Sequence, residues 1–408
     1  MTATRADCAA LDAADPLAHL REEFALPAGV LYLDGNSLGA LPRGTSDRIR
    51  RMVELEWGEG LIRSWNDAGW YQLPQGLGER IAPLVGAAPG QLVVCDSTSV
   101  NLFKVLGAAL RLRPGRTAVL AEHGAFPTDL YITEGATALF DGVEPLLLPT
   151  AADLGRLLDE QVAAVVLSHV DYRTGELLDM AAITEQVHRA GALMIWDLCH
   201  SAGALPVTLD DCGVDFAVGC TYKYLNGGPG APAFLYAAER HQADARQPLS
   251  GWFGHARPFA FEPGYAPVDG VRRFLTGTPP LLGMGALEAS LDVWEKADLH
   301  AVRAKSLALS GLFLDLVAPL GLPSVTPAED ARRGSQVSLR HPDGYAVMQA
   351  LIARGVIGDF RAPDLLRFGF TPLYLSYTDV FDAARHLAEV LDSGEWREER
   401  FSRRGAVT

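Results

Sequence analysis

ALMIWDLCHSAGALPVTLDDCGVDFAVGCTYKYLNGGPGAP, residues 192–232, decides the architecture of this chain. Two apolar runs in it read as buried strands, one ending at Asp197 and one covering 216–220. Each gives way at once to turn-forming residues, and the second to a glycine-rich stretch. Asp197 and Lys223 therefore stand at strand ends. Charges in that position are often caps or halves of surface ion pairs, and the pair alone carries no more than that. The neighbouring segments give it chemical meaning.

Working outward, strand-like and helix-like segments alternate over 91–283. The candidate strands are LVVCDS (92–97), TAVLAE (117–122), AAVVLSHV (163–170), LMIWDL (193–198), DFAVGC (215–220) and AFLYA (233–237). Helical spacing at 100–110, near Asp129 and at 181–189 falls between them. The pattern predicts an α/β fold around a doubly wound, mostly parallel sheet, which binds ligands outside the carboxyl ends of its strands. Ser97, Thr98, Ser99, Ser168, Asp197 and Lys223 all fall there. Further on, helical patterns at 285–297 and 301–318 lead into SQVSLRH (335–341), a helix at 345–354, LLRFGF (365–370) and a last helix at 380–391. That texture predicts a smaller C-terminal α+β domain. The first stretch of about 20 residues reads as a loosely held helix or tail. A strand at 30–33 then enters the turn DGNSLG (34–39), and a helix follows at 45–59. The predicted division is an N-terminal segment 1–45, a large domain 46–283 and a small domain 284–408.

The 408 residues are 49% hydrophobic and 21% charged, enough to bury a large core in two unequal domains. Lys and Arg number 35 against 50 Asp and Glu, and the formal charge of −15 repels nucleic acid phosphates. No run approaches the roughly 18 apolar residues of a membrane span, and MTATRADCAALDAADP lacks the order of a signal peptide. A cytoplasmic protein without membrane or nucleic acid partners is expected. Cys8, Cys95, Cys199, Cys212 and Cys220 follow no CxxC spacing, so neither a disulfide framework nor a zinc site is expected.

A lysine at a strand end can form a Schiff base with an aldehyde, and a carboxylate nearby can hold a protonated pyridine nitrogen. That is the division of labour pyridoxal 5'-phosphate requires. In DSTSVNLFKVL (96–106) Ser97, Thr98 and Ser99 stand where a strand turns into a helix; they either cap the helix or, with its free amides, grip a phosphate. In AFPTDL (125–130) Phe126 can stack on a flat ring and Asp129 support its polar edge, with core packing and capping as the plain alternatives. His200 is close enough in sequence to orient Asp197 or a cofactor oxygen, or is simply a buried histidine. Tyr222 beside Lys223 can hold a phosphate and donate a proton. Arg367 is a candidate clamp for a substrate carboxylate, against a surface ion pair.

At these residues the chain resembles the kynureninases, fold-type I pyridoxal phosphate enzymes of the aminotransferase superfamily. The resemblance runs in order through YLDGNSLG, SWNDAGW, DSTSVNLFK, FPTD, WDLCHSAG, DFAVGCTYKYLNGGPG, SGWFGH, FLTGTPPLL and RFGFTPLYLSYTD. It implies hydrolysis of L-kynurenine to anthranilate and L-alanine, in tryptophan catabolism and the kynurenine route to NAD biosynthesis, by a homodimer. It further implies that Lys223 carries the cofactor linkage, Asp197 pairs with the ring nitrogen and Tyr222 donates a proton. Thr98, Ser99, Ser168 and His200 would hold the cofactor with Phe126, Pro127, Thr128 and Asp129. Trp252 and Thr278 would reach a phosphate across a dimer interface. Arg367 would clamp the substrate carboxylate, with Ser37 and Trp57 at the aromatic end. Bulky Trp57 and short Thr278 offer no partner to an extra ring hydroxyl, so kynurenine is expected to be preferred over its 3-hydroxy form.

Three other readings compete. A cysteine desulfurase or selenocysteine lyase on the same fold needs a nucleophilic cysteine beyond the lysine, and none follows Cys220. A serine hydrolase is suggested by GNSLG (35–39), which fits GxSxG, but Pro42 falls where the helix after a nucleophile elbow should run. A silent cofactor-binding scaffold is disfavoured by the complete set of Lys223, Asp197 and Arg367.

Overall fold

A computed structural model describes residues 3–405. Its strands, in chain order, are β1 (Leu31–Tyr32), β2 (Leu92–Val94), β3 (Ala118–Glu122), β4 (Glu144–Leu148), β5 (Val162–Ser168), β6 (Leu193–Asp197), β7 (Phe216–Gly219), β8 (Phe234–Ala237), β9 (Gln336–Arg340), β10 (Val356–Ile357), β11 (Asp359–Arg361) and β12 (Leu365–Gly369). Seven of them form one sheet in the order β2-β8-β7-β6-β5-β3-β4. Neighbours from β4 to β7 run parallel, and β8 is antiparallel to both β7 and β2. The reversal has a local cause. Between β7 and β8 the chain makes the Lys223 turn and a glycine-rich return without a crossover helix, and a parallel neighbour would need one.

β5 and β6 are near-continuous apolar runs because both faces of the sheet are covered. Successive side chains alternate between faces: Met194 and Trp196 enter one core cluster, Leu193 and Ile195 the other. Each such aliphatic side chain stabilises the fold by roughly 1.5–3 kcal/mol when fully buried. Helix Thr98–Leu112 starts where β2 ends, with Ser97 Oγ accepting from the Val100 amide at 3.3 Å. Lys104 on this helix is fully buried and donates to Asp96 and to the Phe274 carbonyl.

The smaller sheet has the order β11-β12-β9, antiparallel throughout. β1 pairs in parallel with β10, and the Leu33 carbonyl accepts from the Gly369 amide at 2.7 Å. The DGNSLG turn is thereby wedged between this sheet and the Lys223 loop. A Cβ on Gly39 would stand 2.3 Å from the Lys223 carbonyl oxygen, and one on Gly369 would stand 1.9 Å from Asn36 Oδ1. Only glycine permits those approaches.

Strands β4, β10 and β11 lie in segments where no strand was expected, and two helical segments differ from expectation. The N-terminus is a helix, Arg5–Ala14, anchored on helix Tyr377–Ser393: Asp12 accepts from the Tyr377 and Thr378 amides, and Asp15 pairs with Lys305 at 2.6 Å. The helix expected at 45–59 is α-helical over Gly44–Arg51 and widens into π-turns over Met52–Gly60. Glu56 is drawn inward there, accepting from Arg48 at 2.7 Å and from Trp70 Nε1 at 2.8 Å. Among the described residues no helix is long and apolar enough to cross a membrane.

Candidate active site

Strands β3, β5, β6 and β7 end along one edge of the large sheet, and a cavity of about 310 Å³ opens beyond them. Register brings Ser168 directly beside Asp197 on neighbouring parallel strands. The Asp197 carboxylate is oriented by the Cys199 amide, which donates to Oδ1 at 2.8 Å. Lys223 follows β7 by a few residues; the Asn226 amide donates to its carbonyl, and the Gly39 amide to that of Tyr222. Lys223 Nζ lies 3.0 Å from His200 Nε2. Burial, and then the positive charges of Lys223 and Arg367, hold His200 well below the ordinary histidine value. His200 is therefore a neutral imidazole that accepts from Lys223.

Asp129, in the first turn of helix Pro127–Thr137, is 4% exposed. Its Oδ2 has no hydrogen-bond partner among the described residues. Burial, then the adjacent Asp197 carboxylate, push its carboxyl far above the usual range. Phe126 projects from the cap of the same helix and meets Tyr172 edge-on, with ring centroids 5.2 Å apart. Thr98 and Ser99 line the cavity from the first turn of their helix, where backbone amides lack intrahelical partners. Burial first, then the Cys220 thiol, drive the Tyr222 phenol upward, so it is protonated at neutral pH.

Arg367, 1% exposed, reaches the cavity from β12. Its Nε donates to Asp359 Oδ1 at 2.8 Å, its Nη2 to Asp359 Oδ2 and to Ser37 Oγ, and its Nη1 to the Tyr172 carbonyl at 2.6 Å. The Ser37 hydroxyl donates to Asp359 at 2.6 Å, so Ser37, expected at the aromatic end, belongs to this ionic cluster. Among the described residues the Ser37 hydroxyl hydrogen-bonds to no histidine, and the next helix begins only at Gly44, unlike a nucleophile elbow.

Thr98, Ser99, Phe126, Thr128, Asp129, Ser168, Asp197, His200, Tyr222, Lys223, Arg367 and Ser37 thus share one cavity. Pro127 starts its helix just behind the rim. Trp57, 57% exposed on the π-turns, Trp252, 39% exposed, and Thr278 do not line it. Sequence reasoning missed Asn36, Tyr172, Arg361 and the Asp359 that accepts from Arg361 and Arg367. The alternation in IGDFRAPDLLRFGF (357–370) was the available signal for the last two.

These residues fit pyridoxal phosphate. A buried carboxyl with an orphaned oxygen beside a carboxylate suits the polar edge and nitrogen of a protonated pyridine. A lysine whose side-chain hydrogen bond, among the described residues, is to a neutral imidazole suits a Schiff base, and the open helix start suits a phosphate. Among the described residues no His, Cys, Asp and Glu cluster could hold a metal.

Comparison with known proteins agrees. Residues 302–387 match the family described as the kynureninase C-terminal domain. The chain is 54% identical to the kynureninase of Burkholderia pseudomallei strain K96243, over 99% of this chain and 100% of that one. It is 53% identical to that of Pseudomonas fluorescens, with the same coverage. Among solved structures, the cysteine desulfurase CsdA of Escherichia coli superposes with a TM-score of 0.76 at 19% identity, over 92% of this chain and 98% of that one. A mutant of C-DES with glycine covalently linked to its PLP cofactor gives a TM-score of 0.80 at 21% identity, over 90% and 98%. The fold is thus that of fold-type I pyridoxal phosphate enzymes, and the chain belongs to the kynureninase family of hydrolytic enzymes that use this cofactor.

Proposed function

We propose that the enzyme hydrolyses L-kynurenine between its β and γ carbons, water supplying the second carboxyl oxygen of anthranilate and the β carbon leaving, protonated, as L-alanine. The observation that carries this reading is the convergence of Lys223, Asp197, Tyr222 and Arg367 on one cavity. Bound pyridoxal phosphate would supply an aldehyde for amines and a ring that draws electrons from the adjacent carbon. Lys223 would carry the linkage to the cofactor, and its free amine would serve as the base for the substrate's α-proton. Neutral His200, 3.0 Å from Lys223 Nζ, accepts a hydrogen bond and does not compete for that proton. Asp197 keeps the ring nitrogen protonated, and Asp129, with Phe126, Pro127 and Thr128, frames the ring. Thr98, Ser99 and Ser168 hold the cofactor's polar groups. Tyr222, held protonated, delivers a proton to the carbon exposed when anthranilate leaves. Arg367 meets the substrate carboxylate.

The working unit we infer is a homodimer with shared sites. Trp252 and Thr278 are exposed and stand off their own cavity, as residues serving a second copy would. Exposed Trp57, Leu61, Ile62 and Phe261 supply apolar surface for such a contact. In the dimer, Trp57 and Thr278 border the aromatic end and favour kynurenine over its 3-hydroxy form. We further infer a large domain 46–283 and a small domain 284–408, with the first 45 residues serving the latter, as the pairing of β1 with β10 suggests. The same reading assigns the enzyme to the cytoplasm, to tryptophan breakdown and to the supply of NAD precursors.

The test is direct. Purified protein loaded with pyridoxal phosphate and given L-kynurenine should release anthranilate, read by its fluorescence, and an equal amount of alanine. A cofactor-loaded protein that makes neither overturns the reading, and equal kcat/KM on both substrates removes the preference.

A further inference from the structure

Arg367 enters the site with its donors largely spent. A guanidinium has five N–H groups, and a carboxylate is best held by two of them in parallel. The fork of Nε and Nη2 is closed on Asp359, Nη2 also serves Ser37, and Nη1 serves the Tyr172 carbonyl. Arg367 has no open fork for a second carboxylate.

Arg361 stands beside it for a simple geometric reason. Strand periodicity puts residues 359 and 361 on one face of β11, and antiparallel register sets Arg367 directly across from Asp359. Arg361 Nη2 donates to Asp359 Oδ2 at 2.8 Å and more distantly to Ser37 Oγ at 3.4 Å. Its Nε is buried without a partner among the described residues. Both guanidinia line the cavity that holds Lys223 and Asp197.

Charge leads to the same residue. Asp359 is one carboxylate facing two guanidinia. Asp34, the next acid in the cluster, is pushed up to about 7 by burial and then by Asp359, so it is only about half ionised at neutral pH. Positive charge is therefore in excess, and burial together with Arg367 disfavours the charged form of Arg361 in particular. A single incoming anion would relieve both conditions.

We propose that Arg361 is a second substrate-binding guanidinium: the α-carboxylate sits between Arg361 and the remaining N–H of Arg367 Nη1, while Asp359 holds the two arginines at that spacing. This rests on the reading that the substrate carboxylate comes to the Arg367 end of the cavity.

The experiment separates the two. Calorimetry on the holoenzyme would compare 4-(2-aminophenyl)-4-oxobutanoate, which has the carboxylate and aryl ketone but no amine, with its carboxamide. The wild type should bind the acid about 10- to 100-fold tighter than the amide. Arg361→Gln should lose that margin while keeping its affinity for the amide, and Arg361→Lys, which restores charge without the fork, should recover part of it. Wild-type affinity for the acid in Arg361→Gln overturns the assignment of Arg361. A wild type that does not distinguish acid from amide overturns the carboxylate reading as well. Loss of amide binding in Arg361→Gln would mark a disturbed fold, and Arg361→Lys then decides: weakening for the acid alone supports the proposal, unchanged affinity overturns it.

Discussion

Lys223 and Asp359 are the residues whose removal says most. Lys223→Ala should lower kcat by about 10⁴-fold with cofactor present in excess, since one positioned acid–base group contributes roughly 10² to 10⁴ and this one also carries the linkage. Stopped-flow detection of anthranilate would measure it. Asp359→Asn should act differently. Asp359 and Arg367 are each 1% exposed, and removing one partner of a buried ion pair costs about 3–5 kcal/mol, here with two guanidinia left facing each other. A lower urea midpoint would report that loss. The two residues also mark the limit of legibility. Lys223 and Asp197 could be read because each is announced by its own strand and turn. Asp359 and Arg361 were only half legible: the alternation in β11 puts them on one face, but their meaning depends on which residue lies across the ladder, and register is not written in either strand alone.

Among the elements, the DGNSLG turn has the largest effect on the site for its size. It contributes Ser37 and Asn36 to the cavity and Gly39 to the back of the Lys223 loop. Gly39→Ala would put a methyl 2.3 Å from the Lys223 carbonyl oxygen and 2.5 Å from Asn226 Nδ2. Overpacking of this kind costs about 1–3 kcal/mol and should displace the lysine. Thermal melting with a cofactor titration would show a lower midpoint together with weaker loading. The sequence announced the turn and the strand before it but not their partners. The pairing of β1 with β10 joins segments far apart in the chain, and helix Arg5–Ala14, which looked loosely held, is fixed by a contact equally remote. The central strands were legible for the opposite reason: burial on both faces leaves a continuous apolar run that needs no partner to be read. Edge strand β4 escaped because it is largely exposed and has no such doubly buried run, and the direction of β8 escaped because it follows from the missing crossover helix.

For the whole molecule, acid should be the sensitive condition. His169, fully buried at the end of β5 and edge-on to Trp196, has its pKa lowered from 6.5 to about 4 by burial and then by Arg303. The folded state thus refuses a proton that the unfolded chain accepts. Its stabilising contribution is complete above pH 6.5 and is lost as pH falls toward 4, for roughly 3 kcal/mol. Urea unfolding across that window should be visibly flatter in His169→Gln. Assembly gives the second prediction at this scale. If sites are shared, mixing Lys223→Ala subunits with Trp252→Ala subunits should restore activity that neither has alone, because one site of the hybrid then carries an intact residue of each kind. A mixture as inactive as its parts would argue for self-contained sites. The docking of helix Arg5–Ala14 on helix Tyr377–Ser393 has a further consequence, one of timing. Helix Arg5–Ala14 must wait for the much later helix Tyr377–Ser393, and Arg367 emerges just before that partner. A chain stalled before residue 359 would therefore carry Lys223 and its strands without the ionic cluster or the clasp between those two helices. Activity should appear only after helix Tyr377–Ser393 has been made.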